Sequence, residues 1–138
     1  MVGILLECSV SKNFTVRILV INENKALSSV IRCVLEEAGH DVIMTENGHE
    51  GYEKMGETMP DLVIVDLLIS FVTAYEIIDH IRNINKKYIK IIIMSSVTLD
   101  VAVESAFELG VDDYIYLPLK PKELLARIGR LSKYTLAS

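Results

Sequence analysis

Leu62-Val63-Ile64-Val65-Asp66 decides the fold: four branched apolar residues in a row, stopped by a carboxylate. A strand that is apolar at every position, rather than every second one, is buried on both faces, as in a parallel sheet covered by helices on both sides. Outward from it lie similar runs at Val16 to Ile21, Val42 to Thr45, Ile89 to Met94 and Tyr114 to Tyr116. Each is separated from the next by room for a helix and two turns. That rhythm predicts βαβ units and an α/β fold with a parallel sheet.

Helical periodicity fills the gaps. Leu27, Val30, Ile31, Val34 and Leu35 share one face, and Gly39 follows as a stop. A weaker helix spans about 48 to 57, with Tyr52 and Met55 inward, two glycines against it and Pro60 ending it. Ile77, Ile78, Ile81 and Ile84 form a third stripe, and Val103, Ala106 and Phe107 a fourth. Leu124, Leu125, Ile128 and Leu131 mark a fifth, opened by Pro121 and Glu123 in a first turn that favours both.

The 138 residues suffice for one domain with a real core, and 51% of them are apolar. No apolar stretch approaches the ~18 residues of a membrane span. A net charge of -5 argues against sequence-independent nucleic-acid binding. Cys8 and Cys33 have neither metal spacing nor a disulfide framework, which fits a reducing cytoplasm. Residues 1–15 precede the first strand and are assigned to an amino-terminal extension; 16–132 form the domain and 133–138 a short tail. The apolar Ile4-Leu5-Leu6 suits an edge cover or a homodimer contact.

In an open parallel sheet, ligands bind at the carboxyl ends of the strands, where strand order reverses. The residues leaving those ends are Asn22-Glu23-Asn24, Asp66, Ser95-Ser96 and Leu117-Pro118. Two carboxylates within ~4 Å repel by up to roughly 4 kcal/mol at an effective dielectric of 20. A Glu23–Asp66 pair therefore calls for a hard divalent ion such as Mg²⁺, or for a proton on one member. Asp66 would then be a nucleophile towards phosphorus. The plainer alternative makes Asp66 a turn-former and the serines loop starters. Lys25 is read as a solvated helix-start lysine, His40, His49 and His80 as surface residues, and Cys33 as a partly buried filler. Tyr114 and Tyr116 are assigned to opposite faces of the last strand, one to the core and one to a docking surface.

The stretches Arg17-Ile18-Leu19-Val20-Ile21, Leu35-Glu36-Glu37-Ala38-Gly39, Asn47-Gly48, Pro60 to Asp66, Gly110-Val111-Asp112-Asp113-Tyr114 and Glu123 to Ile128 follow one another in order. Through them the chain from about Val16 to Arg130 resembles the receiver domain of two-component response regulators. The resemblance implies a flavodoxin-like, doubly wound five-stranded sheet of order 2-1-3-4-5 with helices on both faces. It implies Mg²⁺-dependent phosphorylation of Asp66 by a histidine kinase or phosphotransfer protein. Glu23 and Asp66 would hold the metal with the Leu68 backbone carbonyl, and Asn22 would act through water. Ser96 and Tyr114 would be the switch pair, and the bond before Pro118 would be cis.

Several positions depart from the family pattern. Asn22 replaces an acid, which weakens the metal site. Ser70-Phe71 replaces Pro-Gly, Thr73-Ala74 replaces Asp-Gly, and Leu117 replaces the lysine that grips the phosphoryl group. The expectation is a stand-alone, atypical receiver, cytoplasmic, working through a downstream protein partner, with no nucleic acid or membrane bound and with impaired switching. The alternative is a pseudo-receiver that docks without phosphorylation. A distant third is an aspartate-nucleophile phosphohydrolase; those enzymes carry a general acid two residues after the nucleophile, where this chain has Leu68.

Overall fold

The computed structural model describes residues 15–83 and 88–137. Five strands, β1 (Arg17–Ile21), β2 (Asp41–Thr45), β3 (Leu62–Val65), β4 (Lys90–Ser95) and β5 (Asp113–Tyr116), alternate with five helices. The helices are α1 (Lys25–Glu37), α2 (Gly48–Thr58), α3 (Ala74–Asn83), α4 (Asp100–Leu109) and α5 (Pro121–Ala137). All strand pairs are parallel, and the sheet order is β2-β1-β3-β4-β5, as the resemblance implied. The last helix runs through residues assigned to a tail. The amino-terminal extension, Cys8 and Ile84 lie outside the described residues.

Strand alternation divides the core into two layers. Leu19, Ile21, Val63, Val65, Ile91 and Ile93 face α2, α3 and α4, meeting Met55, Ile77, Ile78 and Ala106. Ile18, Val20, Leu62, Ile64, Ile92 and Met94 face α1 and α5, meeting Ile31, Leu35, Leu124 and Ile128. Each of these strand residues is at most 2% exposed, which is why the strands read as unbroken apolar runs.

Polar clamps close the ends. Arg82 of α3 donates to the carbonyls of Gly110 (2.8 Å) and Ile89 (2.6 Å) and to Asp112 (2.8 Å). The buried Asp113 accepts from Arg127 at 2.9 Å and Arg130 at 3.2 Å, fastening α5 to β5. Neither clamp has a periodic signal in the sequence.

The structure corrects several assignments. The inward face of α2 is Gly48, Gly51 and Met55, while Tyr52 is largely exposed and stacks on His80 at 4.5 Å. Two of the three glycines in this helix are there because it packs so closely: a Cβ on Gly51 would lie 2.4 Å from the Ile21 side chain, and one on Gly48 only 1.7 Å from the Val72 carbonyl oxygen. Val30 and Phe107 are exposed rather than inward. Cys33 is exposed, with its thiol directed at Glu37, whose charge pushes its pKa up. His40 is half-buried, its Nδ1 accepts the Val16 N–H at 3.2 Å, and burial lowers its pKa.

These close approaches make opposite forecasts for two glycines of one helix. Gly48→Ala should destabilise by about 1–3 kcal/mol, because the methyl group meets backbone and not a flexible side chain. Gly56→Ala, with nothing within 4 Å, should stabilise by roughly 0.5–1 kcal/mol. Urea unfolding of both variants reads the two signs directly.

Candidate functional site at the carboxyl edge of the sheet

The sheet ladder continues one residue past β1 and β3. Asn22 N–H donates to the Thr45 carbonyl at 3.1 Å, and Asp66 N–H to the Ile21 carbonyl at 3.0 Å. These bonds seat Asn22 and Asp66 at the reversal of strand order, between β2-β1 and β3. Both line a narrow crevice with Ile31, Ile64 and Met94.

Burial pushes the Asp66 carboxyl above the usual aspartate range; the Leu68 N–H, donating to Oδ1 at 2.9 Å, works against that, and the charge of Glu23 adds to it. Glu23 is exposed, and its carboxylate accepts the Ser70 N–H, bridging the β1 end to the β3–α3 loop. Asn22 is 4% exposed, and its Oδ1 accepts the Asn24 N–H at 3.0 Å. Asn24 in turn caps α1 by accepting from Leu27 N–H at 3.0 Å. Among the described residues there is no cluster of three His, Cys, Asp or Glu side chains able to hold a metal. What stands at this edge is two carboxylates, Glu23 and Asp66, beside the backbone carbonyls of the β3–α3 loop; such oxygen donors suit Mg²⁺, which keeps several of its waters.

At the end of β4 the two serines part ways. β4 extends through Ser95, so alternation from Ile91 and Ile93 sends Ser95 to the face of Tyr114 and leaves Ser96 exposed beyond the strand. Ser95 is 1% exposed, and its Oγ accepts the Val97 N–H at 3.1 Å. Tyr114 is buried and turned inward, donating its hydroxyl to the Val97 carbonyl at 2.7 Å. Burial raises its pKa, a hydrogen bond with Ser95 opposes that, and the charges of Tyr116, Tyr75 and Asp66 add to it. Tyr114 and Tyr116 do not lie on opposite faces: two residues apart, they share one, with ring centroids 5.3 Å apart.

The Leu117–Pro118 bond is cis. Leu117 extends the ladder by donating its N–H to the Ser95 carbonyl at 3.0 Å. Its side chain packs on the α1/α5 layer with Met94 and Ile115, on the face of β5 away from Tyr114. Lys25 is exposed and lines a cleft with Asn22, Arg32, Glu46 and Glu50. Leu68 is 66% exposed. Phe71, in the place of the usual glycine, keeps a left-handed φ of 71° at a cost of roughly 1–2 kcal/mol and is 81% exposed.

A doubly wound sheet of this order with a half-buried aspartate beside Glu23 at its reversal point fits a phosphoacceptor-type signalling domain. The chain belongs to the response regulator receiver domain family, whose model matches residues 18–129. Members are phosphoacceptor domains of two-component signalling and typically bind Mg²⁺ at the phosphorylation site. The chain is 32% identical over 112 residues to the DNA-binding response regulator MtrA of Mycobacterium leprae, covering 81% of this chain and 49% of that protein. It is 28% identical to the alkaline phosphatase synthesis transcriptional regulatory protein PhoP of Bacillus subtilis, with 81% and 46% covered. The chain thus spans about half the length of these curated relatives. In fold it is similar to the BeF₃-activated receiver domain of RstA from Klebsiella pneumoniae, with a TM-score of 0.78, 22% identity, and 85% and 98% of the two chains covered. No helix among the described residues is long and apolar enough to cross a membrane.

The raised Asp66 pKa carries a stability consequence. A carboxyl whose folded pKa lies above its unfolded value contributes stability at low pH that is lost as pH rises through the folded pKa. Asp66→Asn keeps an acceptor for Leu68 N–H and removes the buried charge. It should raise the melting temperature at neutral pH, and the advantage should vanish below about pH 4, where the aspartate is itself protonated. Melting curves across pH check the sign.

Proposed function

We propose that this receiver accepts a phosphoryl group on Asp66 from a histidine kinase or phosphotransfer protein, with Mg²⁺ at the site, and transmits the change weakly. The observation that carries the proposal is the Asp66 carboxyl, half-buried at the strand-order reversal and coupled to Glu23. Glu23, Asp66 and the Leu68 carbonyl would hold the metal, with Asn22 acting through water. The ion would neutralise the carboxylate pair and the incoming phosphoryl oxygens. Asn22 adds no charge, and its Oδ1 already serves Asn24, so the metal would bind weakly. The chain's own partners would be proteins in the cytoplasm, since an acidic domain offers nucleic acid no basic face. The DNA-binding response regulator MtrA, to which it is similar, is about twice its length.

Ser95, buried beside Tyr114, is the better candidate for the switch hydroxyl than Ser96. Tyr114 already points inward and is hydrogen-bonded to Val97, which supports a resting state close to one fixed conformation. Leu117 offers no ammonium to pull on a phosphoryl oxygen, and removing such a charge-assisted contact takes away roughly 1.5–3 kcal/mol of the difference that drives switching. The packing of Leu117 into the α1/α5 layer also favours the second reading, a pseudo-receiver docking without phosphorylation. Against hydrolysis stands Leu68, apolar where a general acid is needed.

Incubation with acetyl phosphate and Mg²⁺ should add one phosphoryl group by mass spectrometry, and Asp66→Ala should abolish it. An unmodified parent would leave the pseudo-receiver reading standing.

Leu117→Lys combined with Asn22→Asp should restore the switch. Beryllofluoride with Mg²⁺ should then shift the amides around Ser95 and Tyr114 far more than in the parent. A full shift in the parent would show that Leu117 does not uncouple the site.

A further inference from the structure

Away from the phosphoacceptor crevice, a groove runs between α2 and α3. One stretch is lined by His49, Tyr52, Glu53, Glu76, Asp79 and His80 over a floor of Val72. It adjoins a second hollow made by Asn47, His49, Phe71 and Val72. Two features distinguish the groove from an ordinary surface. Its apolar and aromatic surface is built: Tyr52 stacks on His80, with its hydroxyl 3.3 Å from His80 Nδ1. Phe71 stands 81% exposed at one end in a left-handed conformation that glycine would adopt without strain. The loop is held in that shape, because Gly48 N–H donates to the Ser70 carbonyl at 2.9 Å and Gly48 has no room for a Cβ under Val72.

The second feature is charge. Glu53, Glu76 and Asp79 rim the groove, and neither lysine nor arginine lines it. We propose that this groove, with Phe71, is a docking site for a cationic amphipathic helix of a partner protein. A groove between two helices takes the apolar face of a third, with anchors one turn apart. Leucine-like anchors would seat on Val72, Tyr52 and Phe71. Lysine or arginine beside them would reach Glu76, compete with His49 for Glu53 and with Asn83 for Asp79, or lie over the exposed aromatic faces. A second copy of this chain, net charge -5, would be repelled by the same rim, and so would nucleic acid.

The test is titration of the ¹⁵N-labelled chain with a synthetic helical peptide of leucines and lysines, and with its counterpart carrying glutamate for lysine. The lysine peptide should shift the amides of 49–53, 71–73 and 76–80, and added salt should weaken it. Phe71→Gly, which relieves the backbone strain and so keeps the fold, should weaken binding by about tenfold or more. Glu76→Lys with Asp79→Lys should do the same while the melting temperature holds. Shifts confined to another surface, equal binding of the glutamate peptide, or full affinity in Phe71→Gly would each overturn the proposal. Repeating the titration in Asp66→Ala without a phosphodonor makes the result independent of phosphorylation.

Discussion

Burial of a parallel sheet on both faces is the constraint from which the rest follows. With α2, α3 and α4 on one side and α1 and α5 on the other, the interiors of β1, β3 and β4 have no face left for water, while the edge strand β2 is only partly covered. Charged and hydrogen-bonding side chains are therefore displaced to the strand ends. At the carboxyl edge they become Asn22, Asp66 and Ser95; at the opposite edge they become the Arg82–Asp112 clamp. The site is what the core could not accommodate, gathered where strand order reverses.

That origin explains the electrostatics of Asp66. The same layers that bury Ile64 and Val65 take water away from the carboxyl that follows them, and Glu23 adds a like charge. A cation at this edge relieves both terms at once. The substitutions around the site act on that balance from different sides. Asn22 carries no charge beside the two carboxylates, and Leu117 turns its apolar side chain to the α1/α5 layer.

The β3–α3 loop shows a different economy. Ser70, Phe71 and Val72 are pressed against the start of α2 by a glycine with no space for a side chain. The same loop supplies Ser70 N–H to Glu23 and holds Phe71 out into solvent. The acidic α2/α3 groove and the phosphoacceptor edge are thus two sides of one tightly held loop.

The runs at β1, β3 and β4 determined the layered sheet from the sequence by itself, because a strand buried twice has no choice but to be apolar throughout. The order of the strands and the cis bond before Pro118 were legible through the family resemblance. What the tertiary structure decided is where distant segments meet. Periodicity counted Tyr52 inward, yet the close approach of α2 to Ile21 gave that face to Gly51. The resemblance named Ser96, yet one more residue of β4, paired with Tyr116, turned Ser95 towards Tyr114 and left Ser96 exposed. The direction of a side chain depends on where a strand ends and how near its neighbour lies, and those are set by contacts between residues far apart in the chain.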